Sequence, residues 1–515
     1  MQNHYSFQID LRPAPTPVYG CKHYREHRET LETIDDILTR SGLDHTMIEL
    51  ALKKRRETIP QEQDRLGDLN QFIRHTLTAW RVRILLPLLK ATSLREIEKD
   101  LAANGLHQWF CHIGNFGLVK PPSKSTIDRY KNWFDVEEIK AASNILVRKA
   151  ASEPGNYDPE LESAVNLLGF EFPSCLTEVW FDSTCLKPNI HFPVDWVMLT
   201  DCVKTLMKAV ANIRKHGLLN RMAADGPATF LRKVNLISIN MSNCRRQKDS
   251  KNKRKKIFRD LKELTKTVTL HANRHKALLM ENLNRSDLSE AQARYIITRI
   301  DGVLQKLPQA IRQANERIIG ERKVEAKDKL HSIYEPDTQI IVRGKSGAEV
   351  EFGNKLHIVE NREGLILGWN LQKNLKSDAR ELGNLIKLTE ENTGGVITKM
   401  CGDRGYVSKR AQASVGKSRP GMKDHITPKN PFELREKMKD AEFRDSQKRR
   451  AQTEGRIGII KNVYLSGRSL SKGLESRRME MSWIILAHNL NKLAQKRISE
   501  QKSREQKRKI LGLTA

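Results

Sequence analysis

Apolar residues recur at helical spacing from Leu69 to about Leu89. A second run follows the capping box Ser93-Leu94-Arg95-Glu96, with Leu94, Ile97 and Leu101 on one face, and stops at Asn104-Gly105. Ser125 is positioned to cap another helix, whose stripe carries Ile127, Tyr130, Trp133 and Phe134 and leaves Lys124, Arg129 and Lys131 outside. This pair reads either as a helix-turn-helix relative or as a small bundle with solvated basic residues. Its connection, Leu106 to Lys124, is far longer than the three or four residues of the standard motif. Residues 1–68 look polar and irregular, and Pro13, Pro15 and Pro17 predict an extended lead-in.

The pattern then shifts to strand. LTEVWFD, Leu176 to Asp182, is rich in strand formers and ends on a carboxylate. From Trp196 to about Lys329 the chain turns helical and heavily charged, with the block RRQKDSKNKRKKIFR at Arg245 to Arg259. Such a block is either a solvated helix face or a phosphate contact. After Thr338, TQIIVRG, AEVEFGNKLHIVE and GLILGWNL predict an antiparallel meander with turns at GKSG and NREG. Ser377 or Asp378 opens a helix through Leu382, Leu385 and Ile386, and VITKMC forms a strand reaching Asp403. Ser408 to Pro431 reads as loop, and Glu433 to Val463 as a helix weakened by Gly455 and Gly458.

These elements predict an α/β protein with a mixed sheet flanked by helices. The expected divisions are a lead-in over 1–68, a helical domain over 69–150, a sheet domain from 170–195 and 335–495, a helical insertion over 196–334, and a frayed basic tail over 496–515.

Composition adds a partner. The 515 residues include 91 Lys and Arg against 62 Asp and Glu, a formal charge of +29 that favours a polyanion, nucleic acid before a membrane surface. The chain lacks an apolar run of the roughly 18 residues that a spanning helix needs. Its start, MQNHYSFQIDLRPAP, does not resemble a secretory signal, so a cytoplasmic protein is expected. Seven cysteines with no Cys-x-x-Cys pair read as reduced thiols.

Two predicted strands end in aspartates, Asp182 and Asp403, and ligands gather at strand ends in such sheets. In the late helix, steps of about 100° per residue put Gln447, Arg450, Glu454, Gly458 and Lys461 on one stripe. Taken alone, Arg450 and Glu454 make an intrahelical ion pair worth a few tenths of a kcal/mol. The nearby acids Asp195, Asp201 and Asp378 read as loop polar groups or helix caps. It is the coincidence of two strand-end aspartates with a helical glutamate that points to chemistry. Phosphodiester cleavage needs a deprotonated nucleophile and a stabilised leaving oxygen, which two divalent ions about 3.5 to 4 Å apart supply together. Carboxylates are the hard ligands that Mg²⁺ prefers.

VWFDST, GDRGYVS and RRAQTEGRIGIIK resemble the three signature regions of bacterial insertion-sequence transposases, which have an RNase H-like fold and an Asp, Asp, Glu site. HFPVDWVMLTD, VRGKSGAEVEFGNKLHI and MSWIILAHNLNKLA are also similar to patterns of that family, and the resemblance covers most of residues 90 to 495. Its most specific element is Arg, three residues, Glu, six residues, Lys, met by Arg450, Glu454 and Lys461. Where relatives carry a tyrosine three positions before the arginine, this chain has Gln447, so a hairpin-closing step using that tyrosine is in question. The meander also offers one strand more than the simplest RNase H order, with TQIIVRG the candidate extra.

The resemblance implies a transposase that binds the ends of its element as a homo-oligomer, cuts DNA and joins the 3′-hydroxyls to target DNA. Asp182, Asp403 and Glu454 would ligate two Mg²⁺ ions, with Mn²⁺ able to substitute. Arg450, Lys461, Arg404, Lys124 and Arg129 would contact DNA phosphates. The alternatives are an RNase H-like nuclease without strand transfer and a non-catalytic element-derived DNA-binding protein.

Overall fold

The computed structural model describes residues 18, 20–59, 66–89, 93–113, 119–158, 163–222, 226–244, 247–325, 328–345 and 348–510. The chain forms two compact units, Met1–Lys187 with Asn354–Ala515, and Pro188–Gly353.

In the first unit the chain opens with α1 (Lys22–Ser41) and α2 (Leu43–Thr58). This corrects the irregular lead-in. Leu31, Ile34 and Leu38 of α1 and Met47, Ala51 and Leu52 of α2 are buried at helical spacing, a stripe diluted by the polar residues between them. Pro13, Pro15 and Pro17 lie outside the described residues. Next come α3 (Leu66–Leu88), α4 (Leu94–Ala103), α5 (Gly105–Phe110), α6 (Lys124–Tyr130) and α7 (Val136–Ala150). The Ser93–Glu96 capping box is present. The connection to Lys124 is not bare loop, because Asn104 caps α5 within it. Ser123, not Ser125, caps α6, which ends at Tyr130 before Trp133 and Phe134. Trp80 and Phe134 close this core with Trp483, at ring separations of 5.8 and 5.5 Å from Trp80. A small hairpin, β1 (Asn156–Asp158) with β2 (Ser163–Val165), precedes β3 (Glu178–Leu186).

The second unit, Pro188–Gly353, contains the residues 196–334 read from sequence as a helical insertion and is mostly helical. Its core joins α8 (Asp195–Lys215), α9 (Pro227–Asn243), α10 (Ser250–Glu281) and α11 (Glu290–Ile318). The unit also takes β4 (Gln339–Lys345), which pairs antiparallel with the first residues of β5 (Ala348–Glu360). Residues 335–353, assigned from sequence to the sheet domain, therefore cluster with the insertion. TQIIVRG, from Gln339 on, falls in β4.

Back in the first unit, β5 from Asn354 onward pairs antiparallel with β3 and with β6 (Ile366–Leu371). After α12 (Asp378–Thr393), β7 (Lys399–Gly402) pairs parallel with β3. The stretch expected as loop contains α13 (Lys409–Ser418) and β8 (Lys423–Asp424), which pairs parallel with β7. Neither carries enough apolar spacing to be read from sequence: α13 buries only Val415, and β8 is two residues long. The sheet order in this unit is β6-β5-β3-β7-β8.

The predicted late helix is divided into α14 (Pro431–Lys437) and α15 (Ala441–Gly458), continued by a π turn at Ile459–Tyr464. The last described element is α16 (Leu474–Ile510), a single helix through most of the expected frayed tail. Lys502 reaches Glu29 at 3.0 Å and Arg504 reaches Glu171 at 3.1 Å, so charges that read as a solvated tail are tied to the rest of the unit. Among the described residues no helix is long and apolar enough to cross a membrane, and all seven cysteines are free thiols.

Candidate functional site

Strand register brings the two aspartates together. β3 and β7 run parallel with Trp180 opposite Cys401 and Phe181 opposite Gly402, so the next residues along each chain are Asp182 and Asp403. Asp182 is not at a strand end, as the sequence suggested. It sits mid-strand, and β3 continues to Leu186 while β7 stops at Gly402. Asp403 caps a 3₁₀ turn at Arg404–Tyr406, its Oδ1 accepting from the Gly405 amide at 2.9 Å. Gly402 must lack a side chain: a Cβ there would lie 2.6 Å from the Phe181 ring, which packs against Tyr406 with centroids 4.9 Å apart.

Side-chain alternation puts Trp180, Asp182 and Thr184 on one face of β3, and α15 packs on this face, the Trp180 indole donating to the Ser446 carbonyl at 3.0 Å. The buried side of α15 is polar: Ser446, Arg449, Thr453 and Arg456 face inward with Phe443. Arg450 and Glu454 follow two of these buried residues, and Arg450 Nη1 donates to Glu454 Oε1 at 2.9 Å. Lys461 lies in the π turn, so it does not continue the α-helical stripe inferred from sequence, yet its ammonium donates to Thr184 Oγ1 at 3.3 Å. Gln447 ties α15 to the segment that follows β8, donating to the His425 carbonyl at 2.7 Å and accepting from Thr427 at 2.9 Å.

The electrostatics mark one cluster. Burial pushes the Asp182 carboxyl up to about 6, helped by the charges of Asp403 and Glu454 and opposed by the Ser183 amide and Arg450. Asp403, Glu454 and Arg450 thus all act on the Asp182 carboxyl. The Ser183 amide donates to Asp182 Oδ1 at 2.7 Å. The Tyr406 phenol is held neutral well above its usual range by burial and by Asp378, Asp182 and Asp403.

The remaining sequence candidates separate. Arg404 is exposed in the turn directly after Asp403. Lys124 and Arg129 are exposed on α6, where Arg129 donates to Thr126 at 3.2 Å, and neither belongs to the acidic cluster. Asp195 is tied to Gln313 at 2.6 Å and Arg317 at 2.7 Å within the second unit.

Sequence reasoning missed two acids. Asp378, read as a helix cap, accepts from Lys355 at 3.0 Å. A Cβ on Gly405 would lie 2.9 Å from Asp378 Oδ2 and 3.0 Å from Asp403 Oδ1, so Asp378 stands beside the cluster. Glu360, the last residue of β5, is fully buried under α15. Its signal was the cationic spacing Arg449, Arg456 on a helix face with little apolar character.

The donor set suits a hard divalent cation. It offers carboxylate oxygens, and Cys401, on the strand that leads into Asp403, is a buried thiol pushed up to about 12 by desolvation. Burial first, and then the charges of Asp403 and Glu454, raise the proton affinity of Asp182, a shift that a bound cation would oppose. Among the described residues no three ligating side chains already converge on an ion-binding point, and Glu454 is engaged with Arg450. No family model, curated protein or solved structure matches the chain.

Proposed function

We propose that this protein is a metal-dependent DNA transposase of the Asp, Asp, Glu type, acting on the ends of a mobile element. The observation carrying this reading is the cluster itself: two aspartates set side by side by parallel register, with a helical glutamate acting on the same buried carboxyl. The sheet order β6-β5-β3-β7-β8, three antiparallel strands followed by two joined in parallel, supports an RNase H-like fold with β4 and the helical unit as an insertion.

Asp182, Asp403 and Glu454 would hold two Mg²⁺ ions, or Mn²⁺ in their place. When bound, such ions lower the pKa of the attacking water or hydroxyl and stabilise the leaving oxygen. Arg450, once released by Glu454, offers a planar fork to a phosphate, and Lys461 a point charge beside Thr184. Arg404 extends the cationic edge past Asp403. The exposed Lys124 and Arg129 on α6, with the formal charge of +29, suit sequence-independent contact with duplex DNA. A paired-end assembly of several copies in the bacterial cytoplasm, nucleoid-associated when bound, completes the reading.

The test is incubation of purified protein with labelled DNA carrying the sequences that flank its gene, plus Mg²⁺ and a plasmid target. Nicked ends bearing 3′-hydroxyls and their joining to the plasmid are expected. Cutting without joining identifies a nuclease, and binding without Mg²⁺-dependent cutting identifies a DNA-binding protein.

A further inference from the structure

Arg450 and Glu454 each directly follow a residue that binds one and the same carboxylate. Glu360 Oε1 accepts from Arg449 Nη2 at 2.9 Å and from Thr453 Oγ1 at 2.8 Å, and its Oε2 accepts from Arg456 Nε at 3.1 Å. Glu360 is fully buried and lies opposite Trp180 in the β3–β5 ladder, two residues along that face from Asp182. Arg449 also donates to the carbonyls of Arg362 and Asn361, each at 2.7 Å, and its guanidinium sits 5.0 Å from the Trp180 ring centroid. The β5–β6 turn is shaped around Arg456: Gly364 has φ +88, and a Cβ there would stand 2.0 Å from Arg456 Nη2.

Stability alone does not account for this seam. A buried carboxylate with two guanidiniums holds elements together no better than a well-packed apolar seam of similar volume. The difference lies in orientation. Apolar side chains tolerate rotation and sliding of a helix, whereas a carboxylate gripped at three positions of α15 sets both its azimuth and its height. Successive helical residues differ by about 100°, so holding Arg449 and Thr453 determines where Arg450 and Glu454 point.

We infer that Glu360 is a positioning residue for the reaction, orienting α15 so that Glu454 and Arg450 face Asp182 and Asp403. This rests on the transposase reading above. Misplacement of a reacting group by about 1 Å can reduce turnover about 100-fold, and this network acts on the one carboxylate of the cluster that comes from a helix.

The experiment compares wild type, Glu360→Gln, Thr453→Val, Thr453→Ser and Asp182→Asn in Mg²⁺-dependent cleavage of element-end DNA, with folding followed by circular dichroism. Glu360→Gln should lower kcat by about 10- to 100-fold, leave KM for DNA within about twofold, and raise the half-saturating Mg²⁺ concentration several-fold. Thr453→Val should shift kcat and Mg²⁺ dependence the same way to a smaller extent, and Thr453→Ser should restore both. The rise in Mg²⁺ requirement separates positioning from loss of folded protein, which lowers amplitude alone. If Glu360→Gln does not fold, Thr453→Val decides. Wild-type kcat and Mg²⁺ dependence in the folded variants overturn the positioning role while leaving the transposase reading intact. A wild-type protein that leaves DNA uncut, or an Asp182→Asn variant that still cuts, overturns both.

Discussion

Two carboxylates on the same face of the central sheet have opposite surroundings. Glu360 is buried and receives three hydrogen bonds, two from guanidiniums. Asp182, two residues away across the ladder, is pushed up to about 6, first by burial and then by two further acids, against a backbone amide and the Arg450 guanidinium. Both lie under α15. The first is paired with two guanidiniums and fastens the helix, and the second is pushed toward its neutral form by burial and two like charges, which the Ser183 amide and Arg450 only partly offset. An acid whose charge is fully answered within the fold is a structural part; one held among like charges is poised for something that is not part of the chain.

The sharpest way to break this contrast is to remove the acids of the cluster. Asp182→Asn, Asp403→Asn and Glu454→Gln should each reduce Mg²⁺-dependent cleavage by at least about 100-fold, while fluorescence anisotropy shows DNA binding retained. Retained cleavage in any one variant removes that residue from the site.

The opposite result is expected at the saturated acid. Arg449→Met breaks a buried pair and should destabilise the protein by about 3–5 kcal/mol in urea unfolding. A loss under about 1 kcal/mol, the size of an exposed pair, would show that the seam is not dry. Lys461→Ala should raise KM for DNA about tenfold through loss of one charge-assisted hydrogen bond, with the fold unaffected. An unchanged KM demotes Lys461 to a surface charge.

The smallest effect reports the buried, crowded carboxyl of Asp182. The folded-state pKa of Asp182 is raised to about 6 from an ordinary 3.8, so the unfolded chain loses this proton first. Its neutral form favours the fold below the ordinary value, and that advantage disappears as pH rises through about 6. In chelator-treated protein, Asp182→Asn should therefore raise the melting temperature by more at pH 7.5 than at pH 4. Equal shifts at the two pH values would contradict a raised pKa.

Much of the site was legible because it is local. The stripe carrying Arg450 and Glu454, the strand bearing Asp182, the strand that leads into Asp403, and the opening of α12 all follow from spacing within one element. Local spacing also explains the errors. The helices α1 and α2 hid behind polar composition, although Leu31, Ile34 and Leu38 hold the helical period. The tail read as frayed because partners such as Glu29 and Glu171 lie hundreds of positions away in the chain. Asp378 read as a cap for the same reason: nothing near it in sequence announces Asp403, which stands beside it across Gly405.

Composition and periodicity by themselves determined an α/β chain with a basic surface, a helical insertion and three candidate acids. They act through neighbours a few residues apart, which is the range of backbone geometry. Only the tertiary structure decided that β7 lies parallel to β3 in the register that sets Asp403 next to Asp182, and that Glu360 holds α15. Those outcomes depend on strand pairing and buried charge between distant segments, whose energies exist only once the chain has closed on itself.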